Sequence, residues 1–163
     1  MRPPLRVIAV LLGVGAAHAR GDDLAARAAR SYVLDTARSP TTLQVGERAV
    51  LTVAIRCAPG VHVQSQAPLR VQASASPGLL LARDRLGWSD VRGGLDAPEL
   101  DLPVTAAAPG AHEAQLRLEF FLCSRAWCVR QDRRVVLPVT VADGAAADGS
   151  ASSAGAAVPR RGE

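Results

Sequence analysis

Between residues 50 and 57 the chain alternates. Leu51, Val53, Ile55 and Cys57 fall on one parity, and Val50, Thr52, Ala54 and Arg56 on the other, the period of two expected of a half-buried β-strand. Ala58-Pro59-Gly60 ends the run. Shorter strand candidates follow at 61–64, 69–75, 79–83, 99–105, 111–122 and 134–141, with Ser76-Pro77-Gly78, Gly93-Gly94 and Ala108-Pro109-Gly110 among their separators. Short strands with turn signals about every 8–12 residues predict an all-β fold, an immunoglobulin-like antiparallel β-sandwich over residues 41–142. Ahead of it, residues 20–40 mix Ala and Arg with Leu24, Val33 and Leu34, which predicts a lead-in segment with a short helix or a strand near Tyr32.

The two ends do not follow this pattern. Arg2 and Arg6 precede an apolar run from Leu5 to Val14, and Ala17-His18-Ala19 has the small residues of a processing site. Residues 1–19 therefore read as a signal peptide, with a mature chain from Arg20. The apolar run is shorter than the about 20 residues that a spanning helix needs, so no stable membrane insertion is expected. Export predicts a periplasmic or secreted location, an oxidising compartment in which cysteines pair or carry redox chemistry. Residues 143–163 are mostly Ala, Gly and Ser and offer little to bury, which predicts a disordered tail.

Charge and composition narrow the function. All 19 basic residues are Arg, and the formal net charge is +4, falling to +2 once Arg2 and Arg6 leave with the signal segment. No basic stripe stands out, and the aromatic residues are few: Tyr32, Trp88, Phe120, Phe121 and Trp127. No nucleic-acid partner is expected. Trp88, between Gly87 and Ser89, reads as a core plug near a turn.

The chemistry concentrates at residues 116–130. Leu116, Leu118, Phe120 and Leu122 share the inward parity, which sends Cys123 to the outer face with Arg117, Glu119 and Phe121. On the returning strand Val135, Leu137, Val139 and Val141 set the inward parity, so Cys128 and Arg130 also point outward. Cys123 and Cys128 then face each other across a four-residue hairpin loop, close enough for a disulfide. Such a bridge closes a short loop and adds little by chain entropy. Strict pairing also sets Glu119 against Asp132 and Arg117 against Arg134, like-charge contacts that a bulge between Val129 and Arg134 would relieve. Arg125 and Arg130 favour thiolate, and Trp127 can shield one sulfur while leaving the other open. Cys128 is the expected point of first attack, with Arg130 two residues on along its face. A passive hairpin disulfide and a redox-active pair both fit this spacing.

In this segment the chain resembles the N-terminal periplasmic domain of the DsbD-type thiol:disulfide interchange proteins and related disulfide-corrector domains. The resemblance rests on Cys123-Ser-Arg-Ala-Trp-Cys128 followed by the apolar strand Val135 to Val141. Upstream it adds Leu51-Thr-Val-Ala-Ile55 and Ala58-Pro-Gly-Val-His-Val63, with Val61 where that family carries an aromatic residue. It covers residues 41–142. It implies an immunoglobulin-like domain whose catalytic pair, Cys123 and Cys128, passes electrons between a thioredoxin-like protein or domain and other periplasmic disulfide proteins. The alternative function is a secreted interaction module in which the same bridge is only structural.

Cys57 shares its parity with Leu51, Val53 and Ile55 and reads as a buried small hydrophobe, although a bridge from Cys57 to one hairpin cysteine is also open. His62 and His112 lie beside Pro-Gly turns and read as surface loop residues. Copper or zinc bound through Cys123, Cys128 and one of these histidines would lack a His pair at ligand spacing. No metal and no cofactor is expected.

Overall fold

A computed structural model describes residues 16–144. The expected signal segment up to residue 15 and the tail from residue 145 lie outside the described residues. Helix α1 (Ala16–Ala29) runs across the expected processing position after Ala19, and its last turn inserts Ala28, fully buried, into the core. The Ser31 hydroxyl donates to the Arg27 carbonyl at 2.8 Å and closes the helix end. Among the described residues no helix is long and apolar enough to cross a membrane.

Among the described residues eleven strands follow: β1 (Tyr32–Asp35), β2 (Thr42–Gln44), β3 (Arg48–Cys57), β4 (His62–Val63), β5 (Arg70–Ala75), β6 (Leu79–Leu81), β7 (Arg85–Leu86), β8 (Val91–Arg92), β9 (Glu99–Ala106), β10 (Gly110–Cys123) and β11 (Cys128–Ala142). One sheet runs β1-β3-β9-β6, with β8 also on β9; the other runs β2-β11-β10-β5-β7, with β4 on the end of β10. Every pairing is antiparallel except β2 with β11. The chain is an all-β, immunoglobulin-like sandwich.

The predicted alternation builds its core. Leu51, Val53 and Ile55 of β3 and Leu100, Leu102 and Val104 of β9 belong to one buried cluster with Leu116, Leu118, Phe120 and Leu122 of β10 and Leu137, Val139 and Val141 of β11. Each such side chain contributes roughly 1.5–3 kcal/mol on burial. The lead-in residues belong to this body: β1 pairs with β3 from Tyr32 opposite Cys57 to Asp35 opposite Ala54. Just beyond β1, Ser39 covers the outer face of β3, accepting from the Thr52 amide at 2.8 Å and donating to the Thr52 carbonyl at 2.9 Å. This cover explains why Thr52 is buried on the parity expected to face water. Trp88 sits half-buried against the core, its indole N–H donating to the Ala67 carbonyl at 2.8 Å.

His112 departs from its expected loop position. It lies within β10 and its ring rests over Gly78, where Nε2 is 2.9 Å from the Ala108 carbonyl and Nδ1 is 3.3 Å from the Ser76 hydroxyl. A Cβ on Gly78 would lie 1.9 Å from the ring. Gly78→Ala should therefore displace the imidazole from both partners and lower stability by about 1–2 kcal/mol, read from urea unfolding. An unchanged midpoint would show that the ring relocates freely.

Candidate functional site

The β10–β11 hairpin places the two cysteines. Its register runs from Gly110 opposite Val141 to Cys123 opposite Cys128. The cysteines are disulfide-bonded, with Cα atoms 4.1 Å apart. The loop between them is held by the Ser124 amide donating to the Trp127 carbonyl at 2.8 Å and by the Ala126 amide donating to the Ser124 hydroxyl at 3.2 Å. Trp127 lies half-buried against the core, while Arg125 and Ala126 are exposed.

The expected bulge is absent from this register. Arg117 does stand opposite Arg134, and Glu119 opposite Asp132. The conflict is relieved diagonally, because arginine is long enough to reach the neighbouring pair on its face. Arg117 grips Asp132 through Nε at 3.2 Å and Nη2 at 2.6 Å, and Arg130 Nη2 meets Glu119 at 2.8 Å. The hydrogen bond from Arg117 holds the Asp132 carboxyl below its usual range.

The two cysteines differ in exposure. Cys128 is exposed, as parity predicts. Cys123 is only 2% exposed despite its outward parity, which corrects the expectation that both sulfurs face water. The cover comes from a distant part of the sequence. Strand β4 pairs with the end of β10, setting His62 opposite Cys123, and the Gln64 amide lies 4.0 Å from the Cys123 sulfur. Thus His62 is a strand residue beside the disulfide, not a loop residue. His112 is eleven positions from Cys123 on the same strand, about 36 Å away at 3.3 Å per residue.

Cys57 is a free thiol, half-buried against the core, so the Cys57 to hairpin bridge is not formed. Burial and the nearby Asp96 carboxylate, opposed by the Val63 amide, push its pKa up to about 11. It is a poor nucleophile at neutral pH. With the hairpin disulfide intact, iodoacetamide at pH 8 should modify Cys57 far more slowly than a free cysteine. Intact mass checks this, and rapid single modification would contradict it. Among the described residues no group of three His, Cys, Asp or Glu side chains could hold a metal ion.

Sequence reading missed two features. A cleft of about 530 Å³ opens against the hairpin loop, lined by Ser124 to Trp127, by Ala58 to Val61 of the β3–β4 turn, and by Arg27 and Ser31 at the end of α1. Beneath the hairpin, Gln131 is 3% exposed; its Oε1 accepts from the Tyr32 hydroxyl at 3.2 Å and from Arg133 Nη2 at 2.9 Å. Arg133 also stacks over the Tyr32 ring, 5.7 Å from its centroid. A buried polar position inside a charged run has no local hydrophobic signal.

No family model matches the chain, and no curated protein matches it. Solved structures with similar arrangements include the native conformation of Escherichia coli alpha-2-macroglobulin, at 19% identity and a TM-score of 0.48 over 69% of this chain; the chain spans 7% of that protein. Domains 4 and 5 of the S-layer protein SbsC align at 14% identity with a TM-score of 0.36, over 68% of this chain and 53% of theirs. The Caenorhabditis elegans MSP family member WR4 aligns at 10% identity with a TM-score of 0.36, over 69% of this chain and 98% of its own.

Proposed function

We propose that this is an extracytoplasmic thiol-disulfide exchange domain of the DsbD N-terminal type. In this reading Cys123 and Cys128 pass electrons between a thioredoxin-like partner and other periplasmic disulfide proteins. The observation that supports it most is the unequal exposure of one short-range disulfide. Exchange needs one sulfur that a partner thiolate can reach and a second that leaves and later resolves the mixed disulfide. Cys128 is open to attack, and Cys123 is covered by β4 and Gln64. The bridge joins two strands that are already paired along their length, so the fold has little need of it as a staple.

Electrostatics is consistent with this division of labour. Arg130 follows Cys128 on the same face but is engaged by Glu119 at 2.8 Å. Arg125, inside the loop, forms no ion pair among the described residues. Arg125 is therefore a cation within the loop that is available to favour a thiolate.

Equilibration in defined dithiol–disulfide buffers tests the proposal. A reduction potential well above about −300 mV is expected of an exchanging pair. A potential below that value would mark the bridge as structural and leave the interaction-module reading in its place.

A further inference from the structure

We infer that the cleft against the hairpin loop binds a small anionic peptide thiol, of the size and charge of glutathione, whose sulfur exchanges at Cys128. The inference rests on the exchange reading and adds a substrate class to it. The loop enclosed by the disulfide forms one wall of the cleft, so a ligand seated there lies within one short loop of the reacting sulfurs. Ala58, Pro59, Val61, Ala126 and Trp127 give it an apolar lining. Its volume of about 530 Å³ is in the range of small-ligand sites.

Charge selects among such ligands. Among the described residues the cleft is lined by two arginines, Arg27 and Arg125, and by no Asp or Glu. Neither arginine forms an ion pair among the described residues. On the hairpin strands Arg130, two residues from Cys128, is taken up by Glu119, and Arg117 by Asp132. Two unmatched arginines beside a redox disulfide complement a thiol that carries carboxylates, and guanidinium binds carboxylate with directional hydrogen bonds.

The reaction balances with two thiols. The thiolate of the first attacks the Cys128 sulfur, forming a mixed disulfide, while the Cys128–Cys123 bond breaks and its electron pair leaves on Cys123, which takes a proton from water. A second thiolate attacks the sulfur of the bound peptide, releasing the oxidised peptide disulfide and the Cys128 thiolate. Two peptide thiols are oxidised and one protein disulfide is reduced.

The test compares reduced glutathione with neutral 2-mercaptoethanol as reductants of the full chain, with loss of the disulfide followed by mass after alkylation. The single variant Arg27→Ala, at a cleft arginine to which the exchange step assigns no role, should lose about threefold in rate with glutathione at low salt. It should stay within about twofold of wild type with 2-mercaptoethanol, since no carboxylate is involved. In the wild type, raising salt should slow glutathione and spare 2-mercaptoethanol, a comparison that needs no variant. Equal effects on both thiols would overturn the cleft assignment and leave exchange standing. A wild-type disulfide that resists both thiols would overturn the exchange reading and this inference together.

Discussion

Cys123→Ser protein should form a mixed disulfide through Cys128 at least about tenfold faster than Cys128→Ser protein forms one through Cys123, because exchange rates follow thiolate access. The suitable partner is a thioredoxin-like protein reduced to one cysteine and activated as its thionitrobenzoate disulfide. The surviving protein thiolate attacks the partner sulfur, and release of the coloured thiolate reports the rate. In Cys123→Ser that thiolate is the exposed Cys128. In Cys128→Ser it is Cys123, 2% exposed and covered by Gln64, the residue after β4. Adding Gln64→Ala to Cys128→Ser should recover part of the lost rate by uncovering the sulfur. Equal rates for the two single variants would show that burial in the oxidised form does not control access.

The largest stability effect is expected at Phe120. Its ring is 1% exposed and meets Tyr32 edge-on, with centroids 5.4 Å apart and planes at 85°. Tyr32 in turn reaches Gln131, so Phe120 supports the contact that ties β1 to β11 across the two sheets. Phe120→Ala removes a large buried side chain from between the sheets and should cost about 3–5 kcal/mol. Val136→Ala, at a position 53% exposed on β11, should stay within about 0.5 kcal/mol. Urea unfolding of both variants checks the contrast. A small loss at Phe120 would mean that the sheets close over the gap.

How far the fold is legible in the sequence depends on how local each signal is. Alternation at Leu51, Val53 and Ile55, and again at Leu116, Leu118, Phe120 and Leu122, is enough by itself to mark two central strands. Parity and a four-residue loop place Cys123 opposite Cys128, and that pairing stands. The failures have long-range causes. Cys123 is covered by Gln64, 59 positions away in sequence. Strand β11 begins at Cys128 rather than at residue 134, because Arg130, Gln131, Asp132 and Arg133 conceal strand geometry behind polar side chains. Gln131 points inward and is satisfied by Tyr32 and Arg133, a solution invisible to a hydrophobic pattern. The like-charge register survives because Arg117 and Arg130 reach diagonally to Asp132 and Glu119, so no bulge is required. The cleft arises where α1, the β3–β4 turn and the hairpin loop meet, and no single segment announces it.

Exchange at this hairpin moves two electrons through Cys123 and Cys128 in the function proposed above. Its most direct test mixes the oxidised wild-type chain with a reduced thioredoxin-like protein, quenches by acid at intervals, and counts free thiols on each protein by mass after alkylation. Two thiols should appear on this chain, at Cys123 and Cys128, as two are lost from the partner, while Cys57 contributes none to the transfer. A hairpin disulfide that stays closed while the partner remains reduced would contradict it.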